Sequence, residues 1–436
     1  PKRRGTRVGE ISMKSNTIAL TRSQVSTSTY RWIDQFAKKV FLSKFSELQH
    51  GRITVKEGHE EYVFGRSDDI FKVEATVIVH EASFYSDIIF GGTVGSGEAY
   101  MARSWDCHEL TDLVRIILRN EHVLNSIDGG FGRLMLPLHK AFHLLHRNSL
   151  SGSRKNIEAH YDLGNDMFEQ FLDPTMMYSS GIFERPEMTM EQASIAKLDR
   201  ICRKLQLDEN DHILEIGTGW GGFAIHAAKY YGCRITTTTI SQQQYDYAEQ
   251  RIRAEGLEDR ITLLCEDYRN LSGQYDKLVS IEMIEAVGHS YYKNYFQHCS
   301  KLLKPEGMML LQSITIADQR YQAASKEVDF IQRYIFPGGS LPSVNVIAKN
   351  VCDHTDMRFY QLEDIGAHYA VTLARWRERF FRNIENIQKL GYSETFVRMW
   401  EFYLSYCEGG FRENSIGTIQ LLLTKPLCRR EPALSF

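Results

Sequence analysis

The chain has 436 residues, 43% of them apolar and 25% charged, with a net charge of −3. That length suits about two or three globular domains, 9 prolines and 31 glycines exclude a collagen-like chain, and the charge balance argues against a nucleic-acid protein with a basic surface. Eight cysteines are scattered without a C-x-x-C pair, so neither a zinc ribbon nor a disulfide-stapled module is expected, and a reducing cytosol is. No run of ~18 uncharged apolar residues predicts a transmembrane helix, and no apolar signal-peptide core stands near the start.

The first fourteen residues, PKRRGTRVGEISMK, form a basic tail suited to solvent or to anionic lipid headgroups. From Thr29 to His50, apolar residues recur at helical spacing (Ile33, Phe36, Val40, Phe41, Phe45, Leu48), predicting an amphipathic helix closed by Gly51. RITVKEG, YVFG, FKVEATVIVH and FYSDIIFGG then read as short strands broken by glycine. A helix near 108–122 follows, and residues 1–130 are expected to form a small α+β domain. Residues 129–157 hold five Lys or Arg and no acid, which suits a basic, apolar-faced helix against a neighbour or a membrane surface. His139, His143 and His146 share one face of it, without the further ligands a metal would need. The polar NSLSGSRKN is the expected linker within 131–155.

From Asn156 onward strands and helices alternate. HILEIG, RITTTTI, ITLLCED, KLVSIEM and GMMLLQSIT are buried-strand runs separated by helical stretches. That pattern predicts an α/β domain over 156–436, a Rossmann-like parallel sheet with helices on both faces. FYQLEDIG and TIQLLLTKP are candidate edge strands. Glu215-Ile-Gly217-Thr-Gly219-Trp-Gly-Gly directly follows a strand and opens a helix. Its glycines permit positive φ and let backbone N–H groups approach a ligand. A dinucleotide site would want G-x-G-x-x-G and a later acid. Here the next strand ends in Thr-Ile-Ser, which favours the E-x-G-x-G signature of S-adenosylmethionine (SAM) methyltransferases.

With HYDLGNDMFEQFLDPTMMYSS (160–180), LEIGTGWGG (214–222), TTTISQQQ (237–244), EDYR (266–269), SIEMIEAVGHSYYKNYF (280–296), DFIQRYIFPGGSLPS (329–343) and HYAVTLARWRERF (368–380), the chain resembles the cyclopropane-fatty-acyl-phospholipid synthases, mycolic acid cyclopropane synthases included. GSGEAYM (95–101) resembles the extra amino-terminal domain of the full-length bacterial enzymes. The resemblance implies a class I SAM-methyltransferase fold that transfers a methylene group to double bonds of unsaturated phospholipid acyl chains. It places Tyr161, Tyr178 and Ser179 over the sulfonium and carboxylate of SAM, Glu215, Gly217 and Gly219 at its methionine part, Thr239 and Gln244 at the ribose, and Tyr268 beside adenine. Gln244 would replace the usual acidic ribose partner.

In that family the π electrons of the alkene attack the SAM methyl, and a bicarbonate ion takes a proton from the added methyl as the ring closes. The resemblance carries its ligands onto Ser180, Glu285, Gln312, Ile314 and Tyr369, with Ser in place of Cys and Gln in place of His. An amide survives the first change; the second removes a titratable group. The implied cofactors are therefore SAM and bicarbonate, with no metal. Methyl-branched or methylene chains stand as the alternative product, or methylation of another small acceptor. If a protein base replaced bicarbonate, Glu285 is the first expectation. The implied setting is the cytoplasmic face of the membrane, with peripheral lipid contact and no nucleic acid, and a homodimer is left open. Arg375, Arg377, Arg379 and Arg382 beside Trp376 read as a solvated basic face or a headgroup contact.

Overall fold

The computed structural model describes residues 32–122 and 164–430. The basic tail, the stretch 129–157 with its three histidines, and Tyr161 lie outside the described residues.

The amino-terminal layer is a four-stranded sheet of order β2-β1-β3-β4, built from β1 Gly51–Glu57, β2 Glu60–Arg66, β3 Glu74–Val79 and β4 Trp105–Cys107. Alternate β1 residues point inward, so Ile53 and Val55 are buried while Arg52 is exposed. Helices α1 Trp32–Phe45, α2 Ser83–Met101 and α3 Leu110–Arg119 accompany the sheet. The predicted first helix is present, but Gly51 opens β1 at φ +77° rather than closing the helix. FYSDIIFGG, expected as a strand, lies in α2, which kinks at Gly92.

The second unit is a seven-stranded sheet of order β10-β11-β9-β8-β5-β6-β7. Its strands are β5 His212–Ile216, β6 Arg234–Thr239, β7 Ile261–Cys265, β8 Tyr275–Ile281, β9 Leu303–Ile316, β10 Arg358–Asp364 and β11 Ile416–Thr424. Strands β5 to β9 run parallel, and β11 is reversed between β9 and β10. TIQLLLTKP is thus an interior strand, buried from Thr418 onward, whereas FYQLEDIG does form the edge. The covering helices include α4 Met190–Leu205, α5 Gly222–Tyr231, α6 Gln242–Ala254, α7 Tyr292–Leu302, α8 Val344–His354, α9 Gly366–Arg382 and α10 Glu394–Arg412.

The two units share one apolar core. Phe41, Phe84 and Trp105 belong to the same buried cluster as Trp376, Trp400 and Phe402. The seam is close-packed: a Cβ on Gly97 would stand 2.2 Å from the ring of Phe330, and one on Gly409 would stand 2.6 Å from Val114. Arg398 lies 3.8 Å over the Tyr100 ring and donates to the carbonyls of Tyr100 and Trp105. Overpacking such a contact costs about 1–3 kcal/mol. Gly97→Leu is therefore expected to lower the melting temperature by several degrees, and an unchanged melt would show that the seam yields freely.

The arginines of α9 are largely used internally. Arg377 pairs with buried Glu408 at 3.0 Å, and Arg379 donates to the carbonyls of Phe171 and Leu172 at 2.7 Å each. Arg375 and Arg382 both pair with Glu378 on the surface. Among the described residues no helix is long and apolar enough to cross a membrane.

Candidate active site

The loops at the carboxyl ends of β5 to β8 converge, the usual position of a ligand crevice in an open α/β sheet. After β5 the chain turns through Gly217, Gly219 and Gly221, all at positive φ (+101°, +52° and +86°). A Cβ on Gly219 would meet nothing within 4 Å, so its Cα faces open space, a cradle that suits a ligand approaching the backbone. Gly217 backs onto Met283, which couples this turn to the loop after β8.

Glu215 is 2% exposed, and its carboxylate accepts from the Thr237 hydroxyl at 2.6 Å. Burial pushes its pKa up to about 8. The Thr239 hydroxyl donates to Gln244 Oε1 at 2.9 Å, so the two residues assigned to a ribose sit side by side. Tyr268 follows β7, half-buried against Tyr295, with ring centroids 5.6 Å apart.

The segment before α4 carries Tyr178, Ser179 and Ser180. Tyr178 is ringed by Phe168, Phe171, Phe336 and Trp376, with centroids 5.2–6.1 Å away, and shares a 2.8 Å hydrogen bond with the Tyr403 hydroxyl. Aromatic faces of this kind stabilise a cation without bonding to it. The buried Ser179 hydroxyl accepts from Lys197 Nζ at 2.8 Å. Lys197 is fully buried on α4, and burial lowers its pKa to about 8 against the pull of Glu282, Asp173 and Glu215.

The decisive geometry lies at the end of β8. The Ser180 N–H, Gln312 Nε2 and the Tyr369 hydroxyl all donate to one carboxylate, that of Glu282, at 3.1, 2.8 and 2.7 Å. Sequence reasoning passed over Glu282 and assigned these three groups to an external anion together with Glu285 and Ile314. Glu285 and Ile314 do meet: the Ile314 N–H and the Ser313 hydroxyl donate to Glu285 Oε1 at 2.6 and 3.0 Å. The five residues thus divide between two neighbouring carboxylates rather than around one point. Glu282 holds φ +50°, a costly conformation for a residue with a Cβ. Burial raises its pKa, against the three donors and Lys197, which lower it. Burial and the charge of Glu282 push Glu285 up to about 8, and its Oε2 has no hydrogen-bond partner among the described residues. One carboxylate is therefore richly supplied with donors, while burial and the first carboxylate favour the protonated form of its neighbour. Among the described residues no cluster of potential metal ligands occurs.

A family profile described as mycolic acid cyclopropane synthetase matches residues 148–421. The chain belongs to that family. It is 39% identical over 77% of its length to the tuberculostearic acid methyltransferase UfaA1 of Mycobacterium tuberculosis, covering 79% of that protein. It is 36% identical over 80% of its length to the cyclopropane-fatty-acyl-phospholipid synthase of Escherichia coli, covering 88% of it. Sphingolipid C9-methyltransferase A of Emericella nidulans matches 64% of the chain at 31% identity, covering 55% of that protein. In three dimensions it resembles the cyclopropane synthase MmaA2 of Mycobacterium tuberculosis and the mycolic acid cyclopropane synthase CmaA1 complexed with SAH and CTAB. Each is 30% identical and gives a TM-score of 0.57 over 62% of this chain and 98% of the other. As a member of the mycolic acid cyclopropane synthetase family the chain is a SAM-dependent methyltransferase of the cyclopropane-fatty-acyl-phospholipid synthase type.

Proposed function

We propose that the protein adds a one-carbon unit from SAM to the double bond of an unsaturated phospholipid acyl chain and closes a cyclopropane ring, with Glu282 as the built-in base. The observation that carries this is the carboxylate of Glu282 seated on Ser180 N–H, Gln312 and Tyr369. SAM supplies the methyl carbon as an electrophile, and the alkene π electrons form the new bond. Glu282 then accepts one proton from the added methyl, the released electron pair closes the ring, and S-adenosylhomocysteine departs. Tyr178, half-buried with Trp376 packed against it, would offer its aromatic face to the positive charge, and the buried surroundings would exclude the water that would quench it.

The SAM assignment is supported by the open cradle at Gly219; in it Thr239 and Gln244 would meet the ribose, Tyr268 would lie beside adenine, and Ser179 with Lys197 would face the methionine carboxylate. Of the donors that the resemblance assigns to bicarbonate, Ser180 N–H, Gln312 and Tyr369 are engaged by Glu282 and the Ile314 N–H by Glu285, so that ion has no part in the proposed reaction. Turnover on unsaturated phospholipid vesicles is expected to persist in degassed, bicarbonate-stripped buffer. Loss of turnover, restored by added bicarbonate, would overturn the role of Glu282.

The similarity to the tuberculostearic acid methyltransferase supports a second reading. A hydride shift before deprotonation would let the same carboxylate take the same methyl proton and leave a methylene group, with a methyl branch after reduction. Proton NMR of the product fatty acids separates the two, since only the ring gives high-field signals. The substrate implies peripheral work at a membrane surface. Sedimentation with anionic, unsaturated vesicles is expected and would be weakened by salt; absence of vesicle binding at low salt would argue for a soluble acyl substrate.

A further inference from the structure

A row of polar side chains, buried from Lys204 inward, starts at half-buried Glu363 on the sheet edge and ends on Glu282. Glu363 on β10, Gln420 on β11 and Gln312 on β9 are register partners on adjacent strands. Lys204 of α4 lies against this row. Its Nζ donates to Glu363 Oε2 at 2.5 Å and to Gln420 Oε1 at 2.8 Å. Gln420 Nε2 donates to Gln312 Oε1 at 3.0 Å, and Gln312 Nε2 donates to Glu282 Oε1 at 2.8 Å. Lys204 is 1% exposed, and both glutamines are 0% exposed.

The polarity of this row is forced. A lysine ammonium only donates. Gln420 must therefore turn its oxygen to Lys204 and its nitrogen to Gln312. Gln312 must then turn its oxygen to Gln420 and its nitrogen to Glu282. At the far end an ionised carboxylate only accepts, so both ends demand the same orientation. Imidazole in place of Gln312 would break this logic, because its protonation could change, whereas an amide offers a fixed donor. Two inward-facing glutamines in the middle of a sheet core are also costly unless every atom is used.

We infer that Lys204, acting through Gln420, is a positioning residue for the reaction: it locks the Gln312 amide with its N–H toward Glu282 and so holds Glu282 as an ionised acceptor. The inference rests on Glu282 being the base. Without the lock, the Gln312 amide is free to present its oxygen to the carboxylate, which favours the protonated form. The other groups around Glu282 are Tyr369 on α9, Tyr178 and the Ser180 amide on the segment before α4, Lys197 on α4, and Glu285 in the turn after β8. None of them is altered by changes at 204 or 420.

The test measures kcat against pH on unsaturated phospholipid vesicles for wild type, Lys204→Met, Gln420→Met and Gln420→Glu. Gln420→Glu keeps the shape and the Lys204 partner but, when ionised, cannot donate onward, so it covers the case where the methionine variants fail to fold. The acid limb of kcat is expected to move up by about one pH unit, the worth of one hydrogen bond to a charged group. SAM affinity by calorimetry should stay within about twofold, since no ligand contact changes. A fall in kcat with an unmoved acid limb would reduce the row to a structural role and overturn the inference. Near wild-type turnover in Glu282→Gln would instead defeat the assignment of the base itself, so the two failures are told apart.

Discussion

Glu282→Gln is expected to cut turnover by about 10²–10³ while SAM affinity stays near wild type. The amide has almost the volume of the carboxylate but cannot take a proton. Its oxygen can still accept from Ser180 N–H and Gln312 Nε2, which share Oε1, and its NH2 can donate to the Tyr369 hydroxyl in place of Oε2, so the hydrogen bonds survive and the loss reports on the proton transfer. Glu285→Gln is expected to behave oppositely and keep most of the activity. Burial and the charge of Glu282 already favour the protonated form of Glu285, its Oε1 accepts from Ile314 and Ser313, and an amide oxygen accepts equally well. The sign of its stability effect follows from the same shift. The folded pKa of about 8 lies above the ordinary 4.5, so the folded state binds the extra proton, and the stability it contributes is lost as pH rises from 4.5 to 8. Glu285→Gln should therefore raise the melting temperature relative to wild type more at pH 8 than at pH 5. Steady-state rates and thermal melts at the two pH values decide both expectations. A severe Glu285→Gln beside a mild Glu282→Gln would return the base to Glu285.

The two glutamates show where a sequence stops being informative. In SIEMIE they stand three residues apart after a buried strand, and motif matching assigns the second. The readable signal was a pair of acids at the end of an apolar strand, which marks a strained electrostatic site. Which acid collects the donors depends on the positive φ of Glu282 and on Gln312, Tyr369 and Ser180, which arrive from three distant parts of the chain. The sheet itself was legible because parallel strands buried on both faces are continuous β-branched and aliphatic runs. The reversal of β11 was not, since an antiparallel strand buried on both faces has the same composition. FYSDIIFGG misled for another reason. Its glycines, Gly91 and Gly92, look like a strand break, yet they stand inside α2, where Gly92 takes φ +55° and kinks the helix instead of ending a strand.

Gly219→Val is expected to abolish SAM binding, by more than about 100-fold, while leaving a folded protein. Two effects combine. The residue sits at φ +52°, where a β-branched side chain costs about 1–2 kcal/mol. The protein itself leaves room, since a Cβ there meets no atom within 4 Å, so the added methyls would occupy the space proposed for the methionine part of SAM. The control is Gly222→Val at the first residue of α5, directly after this turn. There a Cβ would stand 2.5 Å from Met177 Sδ and 2.8 Å from the Thr175 carbonyl, so the damage falls on folding instead. Calorimetry with S-adenosylhomocysteine, paired with thermal melts, separates the two outcomes. A folded Gly219→Val protein that still bound the ligand at near wild-type affinity would move the methionine part of the site away from this turn. Loss of binding together with a collapse in melting temperature matching that of Gly222→Val would mean that the backbone, not the ligand, needs the glycine.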